Sequence, residues 1–394
     1  MERRTLLQGL ATVPLLSLAG RLFAAPNAPA RLLVVFLRGG YDAATLLVPS
    51  TSQFYYQARP NIAVPRPGSD PQAALALDAD WGLHPALRDT VYPLFQNQQA
   101  AFMPFAGTED SSRSHFETQD SIELGQSLSG SRNLQSGFLN RLVSVLTGVE
   151  PMAFTEQLPL VLRGTAQVPN MALKALGKPG LDARQSRVIT DMYAGTRLAG
   201  RVREGFETRD DIRRELADDM DKANRQAIST RGFALEAPRI ARLMHDKFSL
   251  GFVDVGGWDT HVNQGGAVGP LAARLAELGR GLAAFAEAMG PAWPGTVVVV
   301  ISEFGRTFRE NGNRGTDHGH GTVYWVLGGA IHGGRVVGEQ IRLEQGTLFQ
   351  NRDYPVLNEY RAVFGGLFAR MYGLSVKQLN QVFAGVHPKE TGLV

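Results

Sequence analysis

Three short polar clusters interrupt apolar sequence toward the C-terminal third of this 394-residue chain. Their sequences are Gly-Gly-Trp-Asp-Thr-His at 256–261, Ser-Glu-Phe-Gly-Arg-Thr at 302–307 and Thr-Asp-His-Gly-His-Gly at 316–321. Mixed carboxylate and imidazole ligands suit zinc, manganese or iron, whereas calcium prefers oxygen ligands alone. The clusters therefore predict a site for one or two divalent metal ions, with zinc and manganese favoured.

The spacing within the clusters selects the candidate ligands, because residues two apart on an extended segment point the same way. Asp259 and His261 form one such pair. His318 and His320 form a second pair. Glu303 directly follows a β-branched run and would lie at the end of a buried strand. The competing interpretation is that these residues merely cap turns and helices in surface loops.

The elements that must position these ligands are visible as apolar runs of strand length. Such runs at 31–37, 100–105, 158–162, 250–255, 297–301 and 323–327 predict six strands. Helical stretches lie between them: an amphipathic helix at 271–289, and the longest and most charged stretch at about 191–230. This alternation predicts one large α/β domain at 31–394 with a mainly parallel sheet. In such sheets the carboxyl ends of the strands meet in one crevice.

Two further candidates follow predicted strands in the first half of the chain. Asp42 would lie at the carboxyl end of the first strand and joins the predicted metal ligands. Ser114 lies in a polar turn that leads into a predicted helix, where backbone N–H groups and the helix dipole favour an anion. Its hydroxyl is therefore placed either to attack a substrate or to bind an anion.

Three basic residues are candidates for the chemistry around that serine. His115 could orient another group, bind a metal or act as a general acid. Arg113 or Arg306 could hold the non-bridging oxygens of a phosphoryl or sulfuryl group, because a guanidinium matches such an anion bidentately. A structural salt bridge is the alternative for each arginine. By contrast, His84 precedes a proline and is predicted to be a cap or packing residue.

Composition excludes several classes of protein. A formal net charge of +3 is too small to indicate binding to nucleic acid or to an anionic membrane. The sequence contains no cysteine, which excludes disulfides, thiolate ligands and cysteine nucleophiles. Any nucleophile must be a hydroxyl, a carboxylate or a metal-activated water.

The first residues are typical of an export signal. Paired arginines at 3–4 and two leucines at 6–7 precede an apolar run at 9–19, which is too short to span a bilayer comfortably. This pattern resembles a twin-arginine signal, which predicts that residues 1–30 direct export to the periplasm. Removal of the signal would leave no stable membrane anchor. A buried N-terminal helix is the alternative.

Five motifs in order resemble the bacterial secreted proteins grouped as domain of unknown function 1501. They are LVVFLRGGYD, SRSHFETQ, GGWDTH, SEFGRT and TDHGHG. That family is similar to a branch of the alkaline phosphatase and sulfatase superfamily. The resemblance implies an alkaline-phosphatase-like, three-layer α/β/α fold with a two-metal site. It also implies that Asp42 ends the first strand as a ligand and that Ser114 is the nucleophile.

The chain departs from the superfamily pattern in one important place. The superfamily has Asp-His after the penultimate strand, where this chain has Glu303-Phe304, so one imidazole is missing unless His318 replaces it. Ser112 and Thr45 are alternatives to Ser114 as the nucleophile.

Two functions are consistent with these features. The leading hypothesis is an exported metal-dependent hydrolase of phosphate or sulfate esters, acting on an anionic small-molecule or glycan ester. The alternative is a non-catalytic periplasmic binding protein that keeps the fold, with or without one structural ion.

Overall fold

The computed structural model of the protein describes residues 30–129, 131–173, 183–207 and 232–394. Residues 1–29 of the predicted export signal and residues 208–230 of the predicted charged stretch lie outside the described residues. Residues 199–207 of that stretch are helical. None of the described helices combines the length and apolarity that a membrane span needs.

The centre of the described chain is a mixed, mostly parallel sheet of eight strands. In chain order the strands of the molecule are β1 (Arg31–Leu37), β2 (Leu47–Pro49), β3 (Leu75–Ala76), β4 (Trp81–Leu83), β5 (Ala100–Gly107), β6 (Pro151–Ala153), β7 (Leu250–Val255), β8 (Thr296–Ser302), β9 (Thr322–Gly328), β10 (Arg335–Val336) and β11 (Asn358–Glu359). The large sheet has the order β10-β5-β9-β8-β1-β7-β6, with β11 also paired to β5. A separate antiparallel sheet has the order β2-β4-β3.

Helices cover both faces of the large sheet. Besides the helical residues 199–207, the described helices are α1 (Ala43–Leu46), α2 (Gln53–Ala58), α3 (Val91–Gln96), α4 (His115–Leu124), α5 (Phe138–Val145), α6 (Ala183–Met192), α7 (Phe233–Asp246), α8 (Pro270–Met289), α9 (Tyr360–Tyr372) and α10 (Val376–Val382). The amphipathic helix predicted at 271–289 is thereby confirmed as α8.

The three layers follow from the alternation of side chains along strands that are buried on both faces. On β1, Val35 belongs to the core that contains Leu275 of α8. The next residue toward the N-terminus, Val34, belongs to the other core, which contains Phe368 of α9. The predicted α/β fold with a mainly parallel sheet between helical layers is therefore confirmed.

One predicted strand is wrong. The run at 158–162 forms a 3₁₀ turn at Leu160–Leu162 instead of a strand. Pro159 cannot donate a backbone hydrogen bond to a neighbouring strand. The N–H of Val161 donates instead to the Glu123 carboxylate of α4, at 3.0 Å. An apolar run of this length does not by itself distinguish a strand from a short helical turn.

The direction of β9 determines which residues can meet. The neighbouring strand pairs of the large sheet are parallel, apart from the two pairs that β9 makes with β5 and β8. The amino end of β9 therefore lies at the edge where β1, β5, β7 and β8 end. We call this edge, with the loops attached to it, the site edge.

Candidate metal centre

Four segments bring polar residues to the site edge. His115 is the first residue of α4, which follows β5. Asp259 and His261 lie in the loop after β7, and Glu303 directly follows β8. His318 lies just before β9, and reaches the same edge because β9 is antiparallel. The sequence correctly predicted the strands that precede these residues, but not the direction of β9.

Four of these side chains converge into what we call the imidazole cluster: His115, Asp259, His261 and His318. The Nε2 atom of His318 lies 3.0 Å from Nε2 of His115 and 3.1 Å from Nε2 of His261. Asp259 Oδ1 lies 2.9 Å from Nε2 of His261 and 3.4 Å from Nε2 of His318. Asp259 Oδ2 lies 3.6 Å from Nε2 of His115. Two ligand atoms on one tetrahedral zinc ion, at bond lengths of about 2.0–2.2 Å, are about 3.3–3.6 Å apart.

The opposite nitrogen of each imidazole contacts an oxygen that can only accept a hydrogen bond. In the neutral imidazoles, each Nδ1 would therefore carry the proton, and each Nε2 would direct a lone pair into the cluster. Lone pairs facing one another at such distances repel unless a cation lies between them. The three outer contacts are His115 with the Glu303 carboxylate at 2.8 Å, His261 with the Asp317 carboxylate at 3.3 Å, and His318 with the Arg113 carbonyl at 3.0 Å.

Electrostatics favours neutral imidazole at the centre of the cluster. Burial and the neighbouring His115 lower the pKa of His318 below its usual value. For Asp259, burial alone would raise the pKa of the carboxyl, but the charge and hydrogen bond of Arg306 outweigh it and lower that pKa. A neutral imidazole and an ionised carboxylate are the forms that bind a divalent cation. Among the described residues, ligand atoms of His115, Asp259 and His318 lie within 4.8 Å of one another.

Glu303 lies beside the imidazole cluster and is not one of its members. Its side chain is fully buried, and Oε1 accepts hydrogen bonds from the Gly39 N–H and the Gln119 amide as well as from His115, each at 2.8 Å. Oε2 lies 2.9 Å from the Ser302 hydroxyl. Burial would raise the pKa of Glu303, but these hydrogen bonds lower it overall. The sequence-based prediction of Glu303 as a ligand is corrected: it orients His115 and fixes its tautomer.

We expect Glu303→Gln to weaken metal binding about 10- to 100-fold, the usual effect of losing an outer carboxylate. The substitution keeps the shape but removes the charge that holds the proton on His115 Nδ1. A competition titration with a chromophoric chelator measures the change. The matched control is Glu117→Gln, which removes an exposed charge from α4, the helix that begins at His115. Equal affinities for the two variants would contradict the orienting role.

The Arg306 side chain is buried and bonded to other residues of the protein, so it is not available to bind a substrate. Its side chain has no exposed area, and it contacts Asp259 and approaches Nε2 of His261 to 3.4 Å. Its remaining donors reach the carbonyl oxygens of Gly39, Gly40, Trp258 and Thr316. The prediction that Arg306 holds substrate oxygens is therefore corrected: its charge faces Asp259.

Arg113 acts through its backbone. Its φ angle of +56° lies in the left-handed region, which is unusual for a non-glycine residue. In this conformation its carbonyl accepts the hydrogen bond from His318. Its guanidinium is paired with buried Asp353 at 2.6 Å and with Gln350 at 2.7 Å. The structure thus gives the predicted anion-binding side chain a structural salt bridge, the alternative that the sequence left open.

Asp42 is also paired with an arginine. Its carboxylate, almost fully buried, contacts the Arg59 guanidinium at 2.5 and 3.0 Å. Thr45 donates to it at 2.7 Å and Gln264 at 2.5 Å. Burial would raise the pKa of Asp42, but Arg59 outweighs that effect and lowers it. With its oxygens occupied in this way, Asp42 lies outside the imidazole cluster, which corrects its prediction as a ligand.

His320 does not share the environment of His318. Its ring lies against Phe349, with centroids 4.6 Å apart, and burial together with nearby Arg113 lowers its pKa to about 4. The two-residue spacing rule applies to extended strands. Here His318 forms an isolated bridge with Arg306, and the chain bends at His320. The prediction of His320 as a ligand is corrected for this reason.

The hydroxyl groups at the site edge differ in their availability. Ser114 is the N-cap residue of α4, but its side chain makes no capping hydrogen bond. The Ser112 hydroxyl accepts from the Ser114 N–H and lies 3.3 Å from the Thr118 hydroxyl. Thr45 is fully buried and donates to Asp42. The hydroxyls of Ser112 and Thr45 are thus engaged with other side chains, whereas that of Ser114 makes no capping hydrogen bond.

Sequence reasoning missed several residues that support the cluster. Asp317 stood beside the predicted histidine pair but was given no role, although it is the acceptor for His261. Arg59 and Gln264 were not named, because their partner Asp42 is distant in sequence. Phe304, which follows Glu303 where the sequence resemblance had suggested a histidine, packs its ring against His115 and His318 with centroid distances of 4.8 and 5.2 Å. His84 accepts from the Ala86 N–H at the start of a 3₁₀ turn, which confirms it as a cap.

A mostly parallel sheet between helical layers, with a histidine-rich cluster at the site edge, defines an α/β protein with a candidate metal centre. The chain belongs to the DUF1501 family, described as "Protein of unknown function", whose model matches residues 29–383.

Among solved structures, that of Ps i-CgsB in complex with k-i-k-neocarrahexaose has 10% sequence identity and a TM-score of 0.38, over 91% of this chain and 75% of that chain. A second crystal structure of Ps i-CgsB gives the same values. A likeness at this TM-score carries no functional argument. No curated protein matches the chain.

Proposed function

We propose that the protein is a metal-dependent hydrolase of phosphate or sulfate esters. The observation that carries the proposal is the convergence of three Nε2 atoms and the Asp259 carboxylate, with every Nδ1 held by an outer acceptor. Structural packing alone does not require three imidazole lone pairs to face one another. A metal site accounts for this arrangement, because metal-bound imidazoles almost always donate their other N–H to such an outer acceptor.

The surroundings of the cluster suit an anionic ester. Ser114 lies at the N-terminus of α4, directly before His115, where backbone N–H groups attract an anion. About half of the Asp259 side chain is exposed, so the centre is open to solvent. Phe116 is 85% exposed beside His115 and offers an apolar surface to the organic part of an ester.

Each residue has a part in the proposed reaction. A bound divalent ion would polarise the ester oxygens and lower the pKa of an attacking hydroxyl or water. The chain orients the ligands: Glu303, Asp317 and the Arg113 carbonyl hold the protons on Nδ1 of the three imidazoles. The Ser114 hydroxyl is the candidate for attack, and the amino end of α4 would hold the charged oxygens of the ester.

The placement of the family in the alkaline phosphatase and sulfatase superfamily belongs to the same proposal, as does export. The support for export is the arginine pair and short apolar run near the start of the chain. We therefore propose a periplasmic enzyme, consisting of a single domain from residue 31, that acts on small-molecule or glycan esters.

The test is turnover of an aryl phosphate and an aryl sulfate by metal-loaded protein. If Ser114 is the nucleophile, we expect Ser114→Ala to lower kcat on the order of 10³-fold or more. Ser112→Ala is the matched control, since it removes the neighbouring hydroxyl. Equal loss of activity in both variants would argue against Ser114 as the nucleophile, and retained turnover in Ser114→Ala would assign the attack to water. Bound metal without turnover on a wide ester panel would instead favour a binding protein.

A further inference from the structure

We infer that the centre binds a single divalent ion and that Arg306 supplies, as a fixed part of the chain, the second positive charge of the site. The inference rests on the proposed metal centre and adds its stoichiometry. It replaces the two-metal site that the sequence resemblance implied.

Among the described residues, too few donor side chains face the site to bind two ions. The six residues predicted as ligands would suffice for two ions, but the structure commits three of them elsewhere. Asp42 is paired with Arg59, Glu303 holds His115, and His320 lies against Phe349. Phe304 places a ring with no donor atom against His115 and His318. Within the imidazole cluster, ligand atoms of His115, Asp259 and His318 lie within 4.8 Å of one another, which is a set for one ion.

The Arg306 guanidinium lies directly beside the Asp259 carboxylate. Carboxylates in two-metal sites often contact both cations. Here Asp259 Oδ1 contacts the Arg306 guanidinium and also approaches Nε2 of His261 and His318. A second dication at the guanidinium position would meet the fixed charge of Arg306, which repels it. A second ion bound to Asp259 Oδ1 at that position would therefore have to displace Arg306.

The Arg306 guanidinium lies in a group of oxygen atoms that we call the cradle. The guanidinium is surrounded by backbone carbonyl oxygens of three loops and by the Asp259 carboxylate. Oxygen donors of this kind also hold hard cations such as Ca²⁺ and Mn²⁺. Close approach of the loops maintains the cradle: a Cβ on Gly39 would lie 2.7 Å from the Asp259 backbone nitrogen, and one on Gly319 would lie 2.4 Å from the carbonyl carbon of Arg306. The chain itself supplies the cation that this cradle holds.

The experiment is a Mn²⁺ titration of metal-free protein, followed by equilibrium dialysis and by electron paramagnetic resonance. We expect one Mn²⁺ per chain and the six-line spectrum of an isolated ion up to saturation. Two ions per chain with an exchange-coupled spectrum would overturn this inference and leave the proposed hydrolase intact. If no Mn²⁺ or Zn²⁺ binds, both the inference and the metal centre are wrong.

Variants of Arg306 test the cradle directly. Arg306→Ala leaves an oxygen-lined space beside Asp259, and we expect its Mn²⁺ stoichiometry to rise from one to two. Arg306→Lys keeps a positive charge and should retain one ion. Arg335→Ala is the matched control, because Arg335 also binds two carbonyl oxygens but lies at the surface. If the folded Arg306→Ala variant still binds one ion, Arg306 does not occupy a second cation position. If the variant does not fold, the number of Mn²⁺ ions bound by the wild-type protein decides whether the centre holds one ion or two.

Discussion

Replacing His318 with alanine is expected to abolish metal binding and to lower ester hydrolysis on the order of 10³-fold or more. The reason is its central position, because its Nε2 lies 3.0 Å from that of His115 and 3.1 Å from that of His261. Without it, the contact that the two remaining imidazoles share among the described residues is the half-exposed Asp259. Elemental analysis of dialysed protein gives the metal content, and aryl ester turnover gives the activity.

Two other histidines supply controls for His318→Ala. His320→Ala tests the spacing rule, because the sequence predicted both histidines as ligands whereas the structure directs only His318 into the cluster. We expect His320→Ala to retain its metal, although it loses packing against Phe349. His332→Ala removes an exposed imidazole and should change neither property. Metal loss in His320→Ala but not in His318→Ala would contradict the proposed centre.

The main strands were predictable because their composition leaves few alternatives. Runs such as 32–37 and 297–301 are continuously apolar, which is expected of parallel strands buried on both faces. The direction of β9 was not predictable, because an apolar run looks the same in a parallel and an antiparallel strand. Short strands such as β6 and β10 are defined by their pairing partners, which local sequence does not specify.

The candidate site was predictable in its residue types and in its location at the strand ends. What each residue does there was not predictable from spacing. Glu303 and Asp259 are both acids that follow a strand. One is enclosed by hydrogen-bond donors, and the other faces imidazole nitrogens. This difference depends on contacts with Gly39 and Gln119, which are remote in sequence from Glu303.

The same limit applies to Asp42 and its arginine. Arg59 lies at the end of α2, and nothing in the local sequence pairs it with the acid after β1. In the structure they form an ion pair whose two side chains are 0% and 1% exposed. The Gln264 amide connects this pair to the metal-site loops, accepting from Thr260 at 3.1 Å and from Thr316 at 2.9 Å while donating to Asp42. Asp42 therefore supports the loops that carry His261 and His318.

Replacing Asp42 with asparagine is expected to lower the free energy of unfolding by about 3–5 kcal/mol, the usual cost of leaving a buried charge without its partner. Denaturant unfolding near neutral pH measures this change. Asp120→Asn is the control, because it removes an exposed carboxylate on α4. Metal affinity should change by less than about tenfold, below the effect of an outer metal-site carboxylate. Complete loss of metal from a folded Asp42→Asn variant would restore Asp42 as a ligand.

A double-mutant cycle and the pH dependence separate the ion pair from other effects of Asp42→Asn. Arg59→Met also leaves a buried charge unpaired, so the double variant should lose less stability than the sum of the two single variants. Because pairing with Arg59 lowers the pKa of Asp42 from its usual 3.8, the stabilisation is present above that pH and is lost as the pH falls through the lower, folded-state value. The stability difference between wild type and Asp42→Asn should thus stay constant from neutral pH to about pH 5 and narrow in stronger acid. A difference that does not depend on pH in acid, together with additive losses, would mean that Asp42 stabilises the fold through hydrogen bonds to Thr45 and Gln264 instead of through its charge.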